Sequence, residues 1–166
     1  MNTQHIDLAS LPITTSVAND LKNIFVSESV DLRDVTSIAF EDPVLLINII
    51  LLVNESFQKM DRPVVNTLTA AINLLGMPIL SKRLLSLKNI DELNLSSQQM
   101  EQFNIIRNRI YIAAHMTKFW AQYMGESNTE EQFCASMFTG INDMYQYVIK
   151  GQGIRQQADN LSLIQI

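Results

Sequence analysis

A chain of 166 residues with 47% hydrophobic and 17% charged side chains has the size and apolar content of one folded domain with one core, which excludes disorder as the overall state. Its formal charge of −5, from 12 basic and 17 acidic residues, repels a polyanion on average and leaves no general footprint for nucleic acid. The single cysteine, Cys134, excludes an intrachain disulfide framework and suits a reducing compartment.

The opening residues are polar and carry no basic segment followed by an apolar one, so they do not read as a secretory signal. The longest apolar run, residues 44–53, is broken by Asn48 and falls far short of the roughly 20 residues a spanning helix needs. A cytoplasmic protein without a membrane anchor is the expectation. Basic residues gather at Lys82, Arg83 and Lys88 and at Arg107 and Arg109, but Asp91, Glu92 and Glu101 dilute them. They read as solvated helix faces.

Turn and cap residues divide the chain into helix-length pieces, and no alternating stretch is long enough to force a strand, so the class is all-α. Over residues 11–27, Val17, Leu21, Ile24 and Phe25 recur at three- and four-residue intervals, with Pro12 near the start. Asp31 is placed to cap a short second helix whose stripe is Leu32, Val35, Ile38 and Ala39. Asp42 followed by Pro43 starts the third, which is apolar nearly all round to about Phe57 and should be the central core helix. A connection over residues 58–66 leads to a helix capped by Asn66 or Thr67 and running to Leu75, which Gly76 is expected to end in the left-handed conformation. Met77 and Pro78 open a further helix to about Leu87.

Ser96 or Ser97 caps a long helix to Met124, closed by Gly125, with Phe103, Ile106, Ile110, Ala113, Ala114, Thr117, Ala121 and Met124 on its buried face. Thr129 begins the last helix, to about Ile149, and Glu130 and Glu131 in its first turn complement the helix dipole. Gly140 in its middle predicts a kink or a close approach. Cys134, among Phe133, Ala135 and Met137, reads as a buried structural thiol, since no adjacent cation favours the thiolate.

Four stretches in this order form a pattern: Leu11-Pro12; Glu41-Asp42-Pro43 before the apolar helix; Asn54-Glu55-Ser56-Phe57 closing it; and Arg62-Pro63-Val64 leading to Ala70-Ala71-Ile72-Asn73-Leu74-Leu75-Gly76. Together they resemble the HDOD domain, the metal-free relative of the HD phosphohydrolases, in a C-terminally shortened form. The resemblance covers residues 11–149 of a single domain spanning 1–166, with 150–166 as a tail. It implies an HDOD-like multi-helix bundle used in bacterial signalling and regulation, with no common catalytic activity.

The related HD metal sites need a histidine on one helix and a His-Asp pair on the next. The matching positions here hold Arg109, Thr139 and Gly140: a fixed cation, a poor neutral ligand and no side chain. His115 lies six residues past the first position, nearly two helical turns away. Asp143 is three residues past the last, and His5 sits in the N-terminal segment. Neither histidine comes with a hydrolase-triad signature, and no phosphate-binding glycine motif is present. The chain is therefore expected to be no enzyme, without catalytic residues, metal ligands or cofactor.

Two functions remain in view. The first is a non-catalytic regulatory interaction module acting on an unidentified protein partner in a signalling pathway. The alternative is a small-molecule or nucleotide sensor using the degenerate HD cleft, in which Arg107, Arg109, Thr139 and Asn142 would hold an anion. Leu161, Leu163, Ile164 and Ile166 form the last apolar cluster. They are expected to fold back onto the helices of residues 97–149, or to dock there on a second copy in a homodimer.

Overall fold

The computed structural model describes residues 11–27 and 31–148, and the C-terminal cluster Leu161, Leu163, Ile164 and Ile166 lies outside them. Among the described residues seven α-helices follow one another: α1 Thr15–Val26, α2 Leu32–Glu41, α3 Pro43–Gln58, α4 Leu68–Leu74, α5 Met77–Leu84, α6 Ser97–Tyr123 and α7 Thr129–Val148. Among the described residues there is no β-strand, and no helix is long and apolar enough to cross a membrane.

The starts of α1, α2, α3, α4 and α6 are capped by side chains. The side chains of Thr14, Asp31, Asp42, Thr67 and Ser96 accept the backbone N–H groups of Val17, Arg33, Leu45, Ala70 and Gln99, satisfying donors that have no partner within the helix. At α6 the Gln99 side chain reaches back to the Ser96 N–H and completes a capping box. Its far end is closed by Gly125 at φ 77°, whose N–H donates to the Gln122 carbonyl.

Three expectations need correction. Leu11 to Ile13 are not helical: the Ile13 N–H donates to the Lys88 carbonyl and its carbonyl accepts the Ile90 N–H, both at 2.9 Å. Pairing with a distant loop outcompetes an extra helical turn there. Gly76 has φ −70° and is the N-cap of α5 rather than a left-handed stop, because α4 ends in extended backbone at Leu75 and Pro78 restarts a helix at once. That restart is short, since the chain leaves helical geometry after Leu84 to make the Ile13 bridge.

α3 is the centre. Val44 to Ile50 are all buried, and the helix packs against α2, α4, α5, α6 and α7, so an apolar surface on every side is what its surroundings require. Its one buried amide, Asn48, donates to the Val44 carbonyl at 2.9 Å. α6 and α7 form an antiparallel hairpin and the most extensive helix pair, with Ile110 against Gly140 and Thr117 beside Ser136. The buried face of α6 is Phe103, Ile106, Ile110, Ala114 and Ala121, whereas Ala113 and Met124 face outward, one step of the helix beyond that stripe.

Leu46 is wholly buried while Leu51, five residues later, is only partly so. We predict that Leu46→Ala lowers stability by about 2–5 kcal/mol and Leu51→Ala by clearly less. Urea unfolding midpoints measure both, and equal shifts would contradict this placement of the core.

Candidate functional site

The four residues expected to form an anion cleft, Arg107, Arg109, Thr139 and Asn142, do not converge on one. Residues two apart on an α-helix point some 200° apart, and Arg107 and Arg109 accordingly leave α6 on different sides. The Arg107 Nε donates to Asp42 Oδ2 at 3.1 Å and a terminal nitrogen donates to the Glu41 carbonyl at 3.1 Å. Arg109 is exposed. Thr139 and Asn142 share an exposed side of α7, where the Thr139 hydroxyl donates to the Ala135 carbonyl and the Asn142 carbonyl accepts from Gln146. Two of the four thus serve their own helix, and the third is engaged across the bundle.

Arg107 meets the most consequential polar group of the fold. Asp42 is 1% exposed. Its Oδ1 accepts the Leu45 N–H at 2.9 Å and its Oδ2 accepts Arg107, so one carboxylate caps α3 and ties it to α6. A buried carboxylate is tolerated only when both oxygens are satisfied in this way. The planar guanidinium suits the task because it keeps its charge and donates from several edges.

The other quoted stretches are similarly occupied. Asn54 binds the connection after α3 through both ends of its amide: its Nδ2 donates to the Val65 carbonyl at 2.7 Å and its Oδ1 accepts the Val65 N–H at 2.8 Å. The Arg62 guanidinium lies 5.4 Å from the centre of the Phe57 ring, within cation–π range. A further device was not readable from local sequence. Glu130 accepts the Thr69 N–H at 2.7 Å and Glu131 accepts from the Asn66 amide at 2.5 Å. The acidic first turn of α7 therefore also caps the start of α4, 61 residues away.

Of the positions matched to the HD ligands, Arg109 and Thr139 are exposed and Gly140 is packed. An added Cβ on Gly140 would lie 2.5 Å from Ile110 Cγ1, so a side chain there would require Ile110 to shift. His115 stacks at 4.3 Å from Tyr111 and 5.0 Å from Phe133. Phe133 in turn makes an edge contact with Phe40 on α2, and the Lys118 ammonium sits 5.6 Å and 5.8 Å from those two rings. His115 is thus one member of an aromatic cluster joining α2, α6 and α7. Among the described residues no group of three or more His, Cys, Asp or Glu is placed to hold a metal ion.

A groove of about 340 Å³ lies between α2 and α4, lined by Leu32, Arg33, Thr36, Ser37, Phe40, Thr69, Ile72 and Asn73. Its walls are mainly apolar, the Thr36 hydroxyl donates to the Leu32 carbonyl and the Arg33 guanidinium pairs with Asp31. None of the expected cleft residues lines it.

A family model for the HDOD domain matches residues 11–157. The chain belongs to the HDOD domain family. No curated protein and no solved structure matches it. The HDOD match starts at Leu11, two residues before the Ile13 bridge to the Lys88–Ile90 loop, and takes in every helix described. Asp42, Asn54 and Arg62 from the quoted stretches thus do structural work in this HDOD domain.

Two measurements follow. Asp42→Ala removes a cap and a charge partner together, whereas Asp42→Asn keeps an acceptor for Leu45. A cycle of Asp42→Asn and Arg107→Ala should therefore show a coupling of about 1–3 kcal/mol, and denaturant unfolding of the four proteins gives the number. A coupling near zero would mean that the pair is incidental.

Burial pushes the Cys134 thiol up to about 11, helped by the nearby Glu130 charge. In the unfolded chain a thiol ionises near pH 8.5. A raised folded value means that the stability gained by burying the neutral thiol is fully present below about pH 8.5 and is lost as pH rises through about 11. Unfolding midpoints of the wild type should fall through that window more steeply than those of Cys134→Ala, and parallel curves would contradict the assignment.

Proposed function

We propose that this HDOD domain is a non-catalytic regulatory module of a bacterial signalling pathway, acting in the cytoplasm by binding a protein partner. The observation that carries the reading is the contact between Gly140 and Ile110. The position that would supply the aspartate of an HD pair is held against α6 with no room for a Cβ. A carboxylate there would displace the Ile110 side chain within the α6–α7 pair.

Family membership supports the same reading, as do the structural roles of Asp42, Asn54 and Arg107. A bundle whose Asp42, Asn54 and Arg107 are engaged in holding its own segments together leaves its outer faces for recognition. The sensor alternative gains no support from the geometry, because its central arginine is already paired with Asp42.

Hydrolysis of phosphomonoesters and phosphodiesters by the purified chain, supplied with magnesium, manganese or zinc, is expected to stay at the buffer background. Metal-dependent turnover that co-purifies with the folded chain through two further columns would overturn the proposal. The packing argument has its own check. Gly140→Ala gains about 1 kcal/mol in helix propensity yet should lower stability by about 1–3 kcal/mol net, because Ile110 must move. Combining it with Ile110→Ala should recover part of that loss relative to Ile110→Ala alone; a stabilised Gly140→Ala would show that the helices have space between them.

A further inference from the structure

On the side of α6 opposite its buried stripe, Ile112, Met116, Phe119 and Tyr123 are 58%, 50%, 56% and 74% exposed. They recur at intervals of four, three and four, which places them on one line along the helix. Trp120 and Met124, 55% and 71% exposed, widen the strip. The aromatic rings there touch one another edge-on, Trp120 lying 6.0 Å from Phe119 and 5.8 Å from Tyr123. Six such side chains expose on the order of 600 Å². That is at the upper end for a lone patch on a monomer and close to the roughly 800 Å² per partner that a stable pair buries.

The strip is also symmetric along the chain. Met116 and Phe119, Ile112 and Tyr123, and Arg109 and Glu126 are each equidistant from the midpoint between Thr117 and Lys118. Arg109 is an exposed cation at one end, and Glu126 is an exposed anion just past the other, beyond the Gly125 terminus. A second copy of α6 laid antiparallel about that midpoint would set Met116 against Phe119, Ile112 against Tyr123, and each Arg109 against the opposite Glu126. A parallel copy would bring like charges together at both ends, which is unfavourable. Twofold pairing uses one surface twice, so it demands this kind of self-complementarity.

We infer that this chain forms an antiparallel twofold homodimer through the outer face of α6, with Ile112, Met116, Phe119 and Tyr123 as its apolar seam and Arg109–Glu126 pairs closing each end. The inference is independent of the proposed signalling role, because it rests on the α6 surface alone. It also differs from the dimer expected of the C-terminal cluster, in which residues 161–166 dock on the partner.

Sedimentation equilibrium of the full chain should show a monomer–dimer exchange within about 1 to 200 µM. Met116→Glu puts a carboxylate in the seam and should weaken the dimer more than about 100-fold. Its fold is checked by the far-UV spectrum and melting curve. Arg109→Glu and Glu126→Arg, at exposed positions that leave the core untouched, should each weaken it about tenfold, and their combination should return to within about threefold of wild type.

A wild type that stays monomeric overturns the proposal, and so does a monomer that dimerises only after residues 159–166 are removed, since the tail would then be the occupant. A dimer indifferent to Met116→Glu uses another surface. A double reversal no better than either single change excludes the antiparallel register.

Discussion

The Asp42 carboxylate accepts the Leu45 N–H through one oxygen and the Arg107 guanidinium through the other, with almost no exposure to solvent. It stands where α2 gives way to α3 after a single residue, so the direction in which α3 leaves that junction depends on it. Since α3 is the helix that five others pack against, its entry angle sets the placement of the rest. Removing the guanidinium would leave a buried charge without its partner, which costs more than the pair contributes. A requirement of this kind constrains both residues at once, and it explains why an arginine on α6 is not available as a ligand.

The same logic of paired obligations runs through the bundle. Asn54 cannot leave the loop after α3 without freeing both backbone groups of Val65. Glu130 cannot leave α7 without exposing the Thr69 N–H at the start of α4. Gly140 cannot gain a side chain without displacing Ile110. Each is a local chemical detail that fixes how two distant segments meet. These groups are thereby committed to holding the bundle together.

Most of the helices were legible in the sequence because their signals are local. Asp42-Pro43, Thr67, Ser96 with Gln99, and Gly125 each act within one turn of the boundary that they set. What the sequence hid was long-range. The extended course of Leu11 to Ile13 depends on a loop some 75 residues away, and the conformation of Gly76 depends on the helix that follows it rather than the one before. Arg107 and Arg109 looked alike in the sequence, and only the crossing of α6 over the α2–α3 junction separates a half-buried, paired cation from an exposed one. The buried stripe of α6 was legible at Phe103, Ile106, Ile110, Ala114 and Ala121, whereas the outward line of Ile112, Met116, Phe119 and Tyr123 carries no local boundary signal.

The account turns on Arg107 being held by Asp42 rather than free for an anion, and nuclear magnetic resonance of the Arg107 Nε–H reads that directly. The predicted result is a slowly exchanging Nε–H resonance that disappears in Arg107→Lys and does not move when inorganic phosphate is added to millimolar levels. A resonance that shifts and saturates with phosphate would show the guanidinium leaving Asp42 for the anion, and would contradict the structural role on which the account rests.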